Sequence, residues 1–370
     1  MKIDFNDRPL VAIWEVTQAC DLVCSHCRAC AQPLRHPLEL STREAQHLID
    51  QVGAMQVPIF VLTGGDPLKR PDILELVEYA SRRGVRASLS PSATPLLTPT
   101  AIAELKKRGL MRLALSLDGS QPEIHDAIRG VPGSFARTLE AVAWARQVGL
   151  PVQINTTIGR RNIGDIDAMA GLMEQIGIVL WSVFFLIPTG RGRVEELPSG
   201  AEFEEVFEKL YNTARRVKFH IKTTEAPHYR RLVLQKKAAA HQSQGADGGP
   251  EEADILEKSN DLISKARIGV SDGKGFVFIS HLGEVCPSGF LPLSAGNVRE
   301  QPLAEIYQRS KLFVSLRDPA QLKGKCGICE FHEVCGGSRA RAFALTGDPL
   351  AEEPCCVYRP ESPAAICGQA

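Results

Sequence analysis

At 370 residues, 44% of them apolar, the chain is long enough for two domains, and its 43 basic and 43 acidic residues cancel. That balance leaves no electrostatic footprint for nucleic acid or an anionic membrane. No stretch approaches the roughly 18 apolar residues of a membrane span. The eleven cysteines are unevenly placed, four within residues 20–30 and the others within 286–367. The N-terminus has no apolar secretion segment, which predicts a cytoplasmic protein. In a reducing compartment, clustered thiols favour metal–sulfur ligation over a disulfide framework.

Residues 10–14 read as a strand running into a loop that carries Cys20, Cys24 and Cys27, spaced C-x3-C-x2-C. Ser41 and Glu44 form a capping-box signature for a helix to about Met55, followed by a buried strand over 57–62. The alternation continues with helices over 71–84, 98–108, 134–148 and 163–176, and strands over 85–90, 110–117, 151–158 and 178–187. Gly84, Gly109, Gly149 and Gly177 follow those helices, able to take the left-handed conformation of a helix end. Strands alternating with helices predict a parallel sheet. Six units are too few for a closed eight-stranded barrel, and no G-x-G-x-x-G follows the first strand. The predicted fold is therefore α/β, a partial (β/α)6 TIM-like barrel over residues 8–225, with its chemistry at the carboxyl ends of the strands. A further helix over 201–217 and an edge strand over 219–224 complete it. Residues 236–254 are small and polar and read as a mobile loop within a linker spanning 226–267, a substrate lid being the alternative. From residue 268 a short β-rich segment opens a C-terminal domain, with a strand over 275–279, a turn over 281–284, then Val285 and Cys286.

Three thiolates on one short loop can hold three irons of a [4Fe–4S] cube and leave the fourth open to a small molecule. A zinc knuckle is the competing reading, since Cys27 and Cys30 also make a C-x2-C pair. The loop, with His26 just before its last cysteine, resembles the cluster loop of radical S-adenosylmethionine (SAM) enzymes. Thr63-Gly64-Gly65-Asp66-Pro67 then resembles the family's GGE motif, which holds the SAM amino group, with Asp66 in place of Glu. Ser116 and Asp118, before the segment His125–Gly130, resemble the fourth-strand region that faces SAM or substrate. Asn155 resembles the position that meets the ribose, and Ile187 with Pro188 the segment that packs against adenine. No role is assigned to Ser90-Pro91-Ser92. Arg129, Arg160, Arg161, Arg191 and Arg193 gather near strand ends and could meet carboxylates, but read rather as solvated surface residues.

The C-terminal cysteines resemble the SPASM extension of this family, which ligates auxiliary iron–sulfur clusters. Cys326, Cys329, Cys335 and Cys355 match the set for one auxiliary [4Fe–4S] cluster, with Cys356 or Cys286 as alternatives for the last. Ser338 stands where the family has a cysteine of a second cluster, which implies a single cluster, closer to the reduced twitch variant. A structural zinc is the alternative. Roles for Cys30 and Cys367 are left open.

The resemblance implies reductive cleavage of SAM to a 5′-deoxyadenosyl radical that abstracts hydrogen from substrate, with electrons from a donor such as flavodoxin or ferredoxin. The segment Cys335–Ala342 most resembles enzymes acting on tetrapyrrole side chains, which implies oxidative or decarboxylating modification. A maturase of a ribosomally made peptide, and a non-catalytic iron–sulfur or zinc scaffold, are the alternatives. No general base is identified.

Overall fold

The computed structural model describes residues 3–244 and 269–360. The chain opens with β1 (Val11–Glu15), then alternates α1 (Thr42–Ala54), β2 (Ile59–Thr63), α2 (Ile73–Arg82), β3 (Ala87–Leu89), α3 (Pro99–Lys107) and β4 (Arg112–Ser116). It continues through α4 (Pro122–Arg129), α5 (Ser134–Gln147), β5 (Val152–Ile158), α6 (Ile166–Ile176), β6 (Leu180–Phe185), α7 (Gly200–Ala214), β7 (His220–Thr224) and α8 (Tyr229–Gln244). The C-terminal segment supplies β8 (Phe276–Ile279), β9 (Glu284–Cys286), the two-residue β10 (Gly296–Asn297) and several short helices.

Strands β1 to β7 lie side by side in chain order, all parallel. This is the partial barrel expected of the βα alternation, with β7 at one edge. Helix α1 starts where the sequence places it, because Ser41 accepts from the Glu44 amide and the Glu44 carboxylate returns to the Ser41 amide. Trp14, Phe60, Leu62 and Trp181 are fully buried in one apolar core shared with the helices. Arg70, also buried, lies against the Trp14 ring and donates to the Val16 carbonyl and the Asp72 carboxylate. It thereby secures the chain just as it leaves β1.

Helix α1 is followed by Met55 and then Gln56, which takes the left-handed conformation with φ at +51°. Two details depart from expectation. Helix α4 fills the connection after β4, within the segment that carries His125 and Arg129. Residues 236–244 belong to α8 rather than to a loop. Lys236, Lys237 and three successive alanines are good helix formers, and small polar composition concealed that. The rest of the expected loop, 245–254, lies outside the described residues.

Strand β8 pairs in parallel with β1, Val11 opposite Phe276 and Trp14 opposite Ile279. Strand β9 returns antiparallel to β8, so the described strands form one sheet ordered β10-β9-β8-β1 through β7. The C-terminal segment is thus continuous with the barrel sheet. Tyr307 reinforces the junction, its hydroxyl donating to the Phe5 carbonyl at 2.8 Å.

Candidate active site

The loop leaving β1 is clamped by backbone hydrogen bonds from two other strand ends. From the β2 end, the Gly65 amide donates to Thr17 O at 2.8 Å and the Asp66 amide to Ala19 O at 2.6 Å. From the β6 end, the Arg191 amide donates to Cys27 O at 2.9 Å. These approaches require glycine. A Cβ on Gly65 would lie 2.5 Å from Ala19 O, and one on Gly190 only 2.3 Å from Arg28 O.

The result is an open cleft at the carboxyl ends of the strands, with Cys20, Cys24 and Cys27 together on its wall. His26, Gly64, Gly65, Ser116, Asn155 and Ile187 also line it. Asp66, Asp118 and Pro188 are not on the cleft wall. The Asp66 carboxylate turns inward, accepting from the Thr94 hydroxyl at 2.7 Å and from the Leu68 and Ser92 amides. It shapes the glycine turn instead of offering a free acceptor. Burial pushes its pKa up, against those hydrogen bonds.

Asp118 supports the wall from behind. It pairs with Arg129 at 2.5 Å and accepts from the Thr157 amide, and His26 Nε2 lies 3.8 Å away. Burial alone would raise its carboxyl, but the Arg129 guanidinium, with His26 and His125, outweighs this and holds it below the usual range. Burial lowers His26 to about 4, so the imidazole is neutral at pH 7. Arg129 directs Nη1 to the Cys24 sulfur at 3.6 Å, setting a fixed positive charge beside the thiols. The Cys20 sulfur lies 3.4 Å from the Ser92 hydroxyl, which in turn donates to Gly65 O. Ser92 therefore links the cysteine loop to the glycine turn, a role with no signal in the sequence.

The arginines also divide differently from expectation. Arg129 is buried and Arg191 half-buried on the cleft wall, whereas Arg160 and Arg161 are half-exposed and paired with Glu202 and Glu196. Nε and Nη2 of Arg191 are buried with no hydrogen-bond partner. Three soft thiol ligands, an adjacent cation and unpartnered donors suit an anionic iron–sulfur cluster and a carboxylate-bearing ligand.

A second, smaller cavity lies in the C-terminal segment. Cys326, Cys329, Cys335 and Cys356 line it together. Cys355, the expected fourth member, faces away: its sulfur lies 4.0 Å from Pro198 O within the main apolar core. The turn at 353–356 decides between the two neighbours, held by Cys355 and Cys356 amide bonds to Glu353. Cys286, on β9 opposite Phe278, is not in this cavity either. Two amides point at sulfur, Glu353 to Cys326 at 3.3 Å and Gly337 to Cys335 at 3.4 Å. Ser338 is occupied elsewhere. Its hydroxyl donates to Glu225 at 2.6 Å and accepts from the Arg341 amide, capping the helix Arg339–Thr346. Cys30 is exposed, with φ at +47°, and Cys367 lies outside the described residues.

A parallel partial barrel with three loop cysteines at its catalytic face defines a radical SAM protein, and residues 14–173 match the model of the Radical SAM superfamily. The chain belongs to that superfamily. It is 42% identical to an AdoMet-dependent heme synthase of Methanosarcina barkeri over 97% of this chain and 99% of the relative. A relative of the same description from Nitratidesulfovibrio vulgaris is also 42% identical, over 94% and 92% of the two chains. Among solved structures, Streptococcus suis SuiB bound to S-adenosylmethionine superposes with a TM-score of 0.71 at 16% identity, covering 95% of this chain and 78% of that one. At that identity the match speaks to fold alone. Among the described residues no helix is long and apolar enough to cross a membrane.

Proposed function

We propose that this radical SAM enzyme decarboxylates carboxylate-bearing side chains of a tetrapyrrole, as the names of its full-length relatives suggest. The carrying observation is the 42% identity to a heme synthase across nearly the whole of both chains. The cleft supports it: Arg191 offers unpartnered guanidinium nitrogens, and the Phe184 and Phe290 rings stand 6.2 Å apart on the same wall. When bound, the cluster supplies the electron that splits SAM, and the resulting deoxyadenosyl radical takes a hydrogen atom from substrate.

The protein's residues position and enclose. Cys20, Cys24 and Cys27 would hold three irons. Gly64 and Gly65 let the backbone approach the amino-acid end of SAM, Ser116 and Asn155 offer polar contacts, and Ile187 offers an apolar face. A carboxyethyl group that becomes vinyl loses one hydrogen atom, one carbon dioxide and one electron, and that electron needs an acceptor. Cys326, Cys329, Cys335 and Cys356 would hold an auxiliary [4Fe–4S] cluster with every iron ligated, which suits electron transfer rather than substrate ligation. The first electron would come from a flavodoxin or ferredoxin.

The test is anaerobic reconstitution of the wild type and of a Cys20→Ala, Cys24→Ala, Cys27→Ala variant. About eight irons per chain, falling to about four in the variant, are expected for two clusters. With SAM, a reductant and a propionate-bearing iron tetrapyrrole, the wild type should release 5′-deoxyadenosine. The product should be lighter by one carbon dioxide and two hydrogens for each side chain processed. Deoxyadenosine without tetrapyrrole conversion would overturn the substrate assignment, and zinc without sulfide would overturn both clusters.

A further inference from the structure

His228 occupies an uncommon position. It precedes α8, stacks at 5.6 Å on the Phe203 ring and makes a T-shaped contact with the Phe207 ring at 4.8 Å. The side chain is fully buried, yet neither ring nitrogen has a hydrogen-bond partner within the protein. Buried polar atoms rarely stay unpaired, and a phenyl ring would satisfy this aromatic nest better. His228 also lines the cavity shared by Cys326, Cys329, Cys335 and Cys356, as does His332, whose Nδ1 already lies 2.6 Å from the Cys329 carbonyl oxygen. The missing partner should therefore lie in that cavity.

We propose that His228 donates a ring N–H hydrogen bond to a sulfur of the auxiliary cluster and so raises the cluster's reduction potential. This rests on the auxiliary-cluster reading above. Four cysteines already line the cavity, so histidine is not needed as a ligand, and a neutral imidazole keeps one N–H in either tautomer. The Glu353 and Gly337 amides already direct N–H groups at Cys326 and Cys335. His228 would act in the same way from the barrel side, where α8 begins. A hydrogen bond to sulfur favours the reduced, more negative cluster, which is why such bonds set potentials.

The test uses the full chain carrying Cys20→Ala, Cys24→Ala and Cys27→Ala, so that only the auxiliary cluster contributes. Iron and sulfide are counted first, about four of each being expected. In an EPR-monitored redox titration, His228→Phe should lower the ratio of reduced to oxidised cluster at fixed potential about tenfold, equivalent to about 59 mV for one electron. His228→Gln, which keeps an N–H donor, should restore most of the shift. If the Phe variant does not fold, pulsed EPR on protein labelled with ¹⁵N-histidine and carrying His332→Gln decides, since His332 lines the same cavity; a weak nitrogen coupling to the reduced cluster is expected. Full iron content with an unmoved potential, or no nitrogen coupling, would overturn the proposal alone. Strong coupling with iron loss in the Phe variant would make His228 a ligand and overturn the donor role. Absence of iron and sulfide before any change at His228 would overturn the auxiliary-cluster reading, and this proposal with it.

Discussion

Gly190 has no room for a methyl group. Its φ is +61°, and an added Cβ would press on the carbonyl oxygens of Cys27 and Arg28, both rigid backbone atoms. Gly190→Ala should displace the cysteine loop while leaving the C-terminal cavity intact. Reconstituted iron should fall from about eight to about four per chain, and SAM cleavage by about a hundredfold. Ser338 gives the complementary case. Ser338→Cys should bring no additional iron, because the side chain caps a helix and faces Glu225. It should lower stability by about 1 kcal/mol, read from the denaturation midpoint. That Cys20, Cys24 and Cys27 share one cleft wall was legible, since their short spacing keeps them on one loop. The choice of Cys356 over Cys355 was not, because adjacent residues point apart and only the turn around Glu353 decides which sulfur faces the cavity. Asp66 was hidden for a similar reason: its partners, Ser92 and Thr94, come from the end of another strand.

At the scale of elements, the βα period was readable because caps, apolar runs and glycine stops agree locally. Contacts between distant elements left no such trace. Glu44, the capping carboxylate of α1, also binds Arg299 from the C-terminal segment, at 2.6 Å. The Arg299 hydrogen bond is the main reason its pKa falls to about 2. A carboxylate depressed on folding stabilises the protein fully above its unfolded value of about 4.3. That contribution is lost as pH falls through the folded value. Glu44→Gln keeps the capping geometry and removes the charge. Its stability deficit should be constant from pH 7 to about 5 and vanish towards pH 2. Both partners are about one-third exposed, so the deficit should not exceed about 1 kcal/mol. Thermal denaturation of both proteins across that range checks it.

On the scale of the whole molecule, one buried ion pair joins the two cavities. Arg341 pairs with Glu353 at 3.1 Å beside Cys326, and its Nη2 reaches the Phe185, Leu186 and Glu225 carbonyls at the ends of β6 and β7. Arg341→Met would leave Glu353 buried without its counter-charge and should cost about 3–5 kcal/mol. Adding Glu353→Gln should recover part of that loss, as equilibrium unfolding of the single and double variants would show. The pairing of β8 with β1 bears on how the protein is made. A ribosome releases β1 first, but its outer neighbour emerges only after some three-quarters of the chain has been synthesised. Until then an apolar strand presents an open edge, a template for pairing with other nascent chains. Slow translation or low growth temperature does not shorten that wait, whereas chaperone capacity protects the edge during it. The yield of folded protein should therefore follow chaperone supply more closely than iron supply.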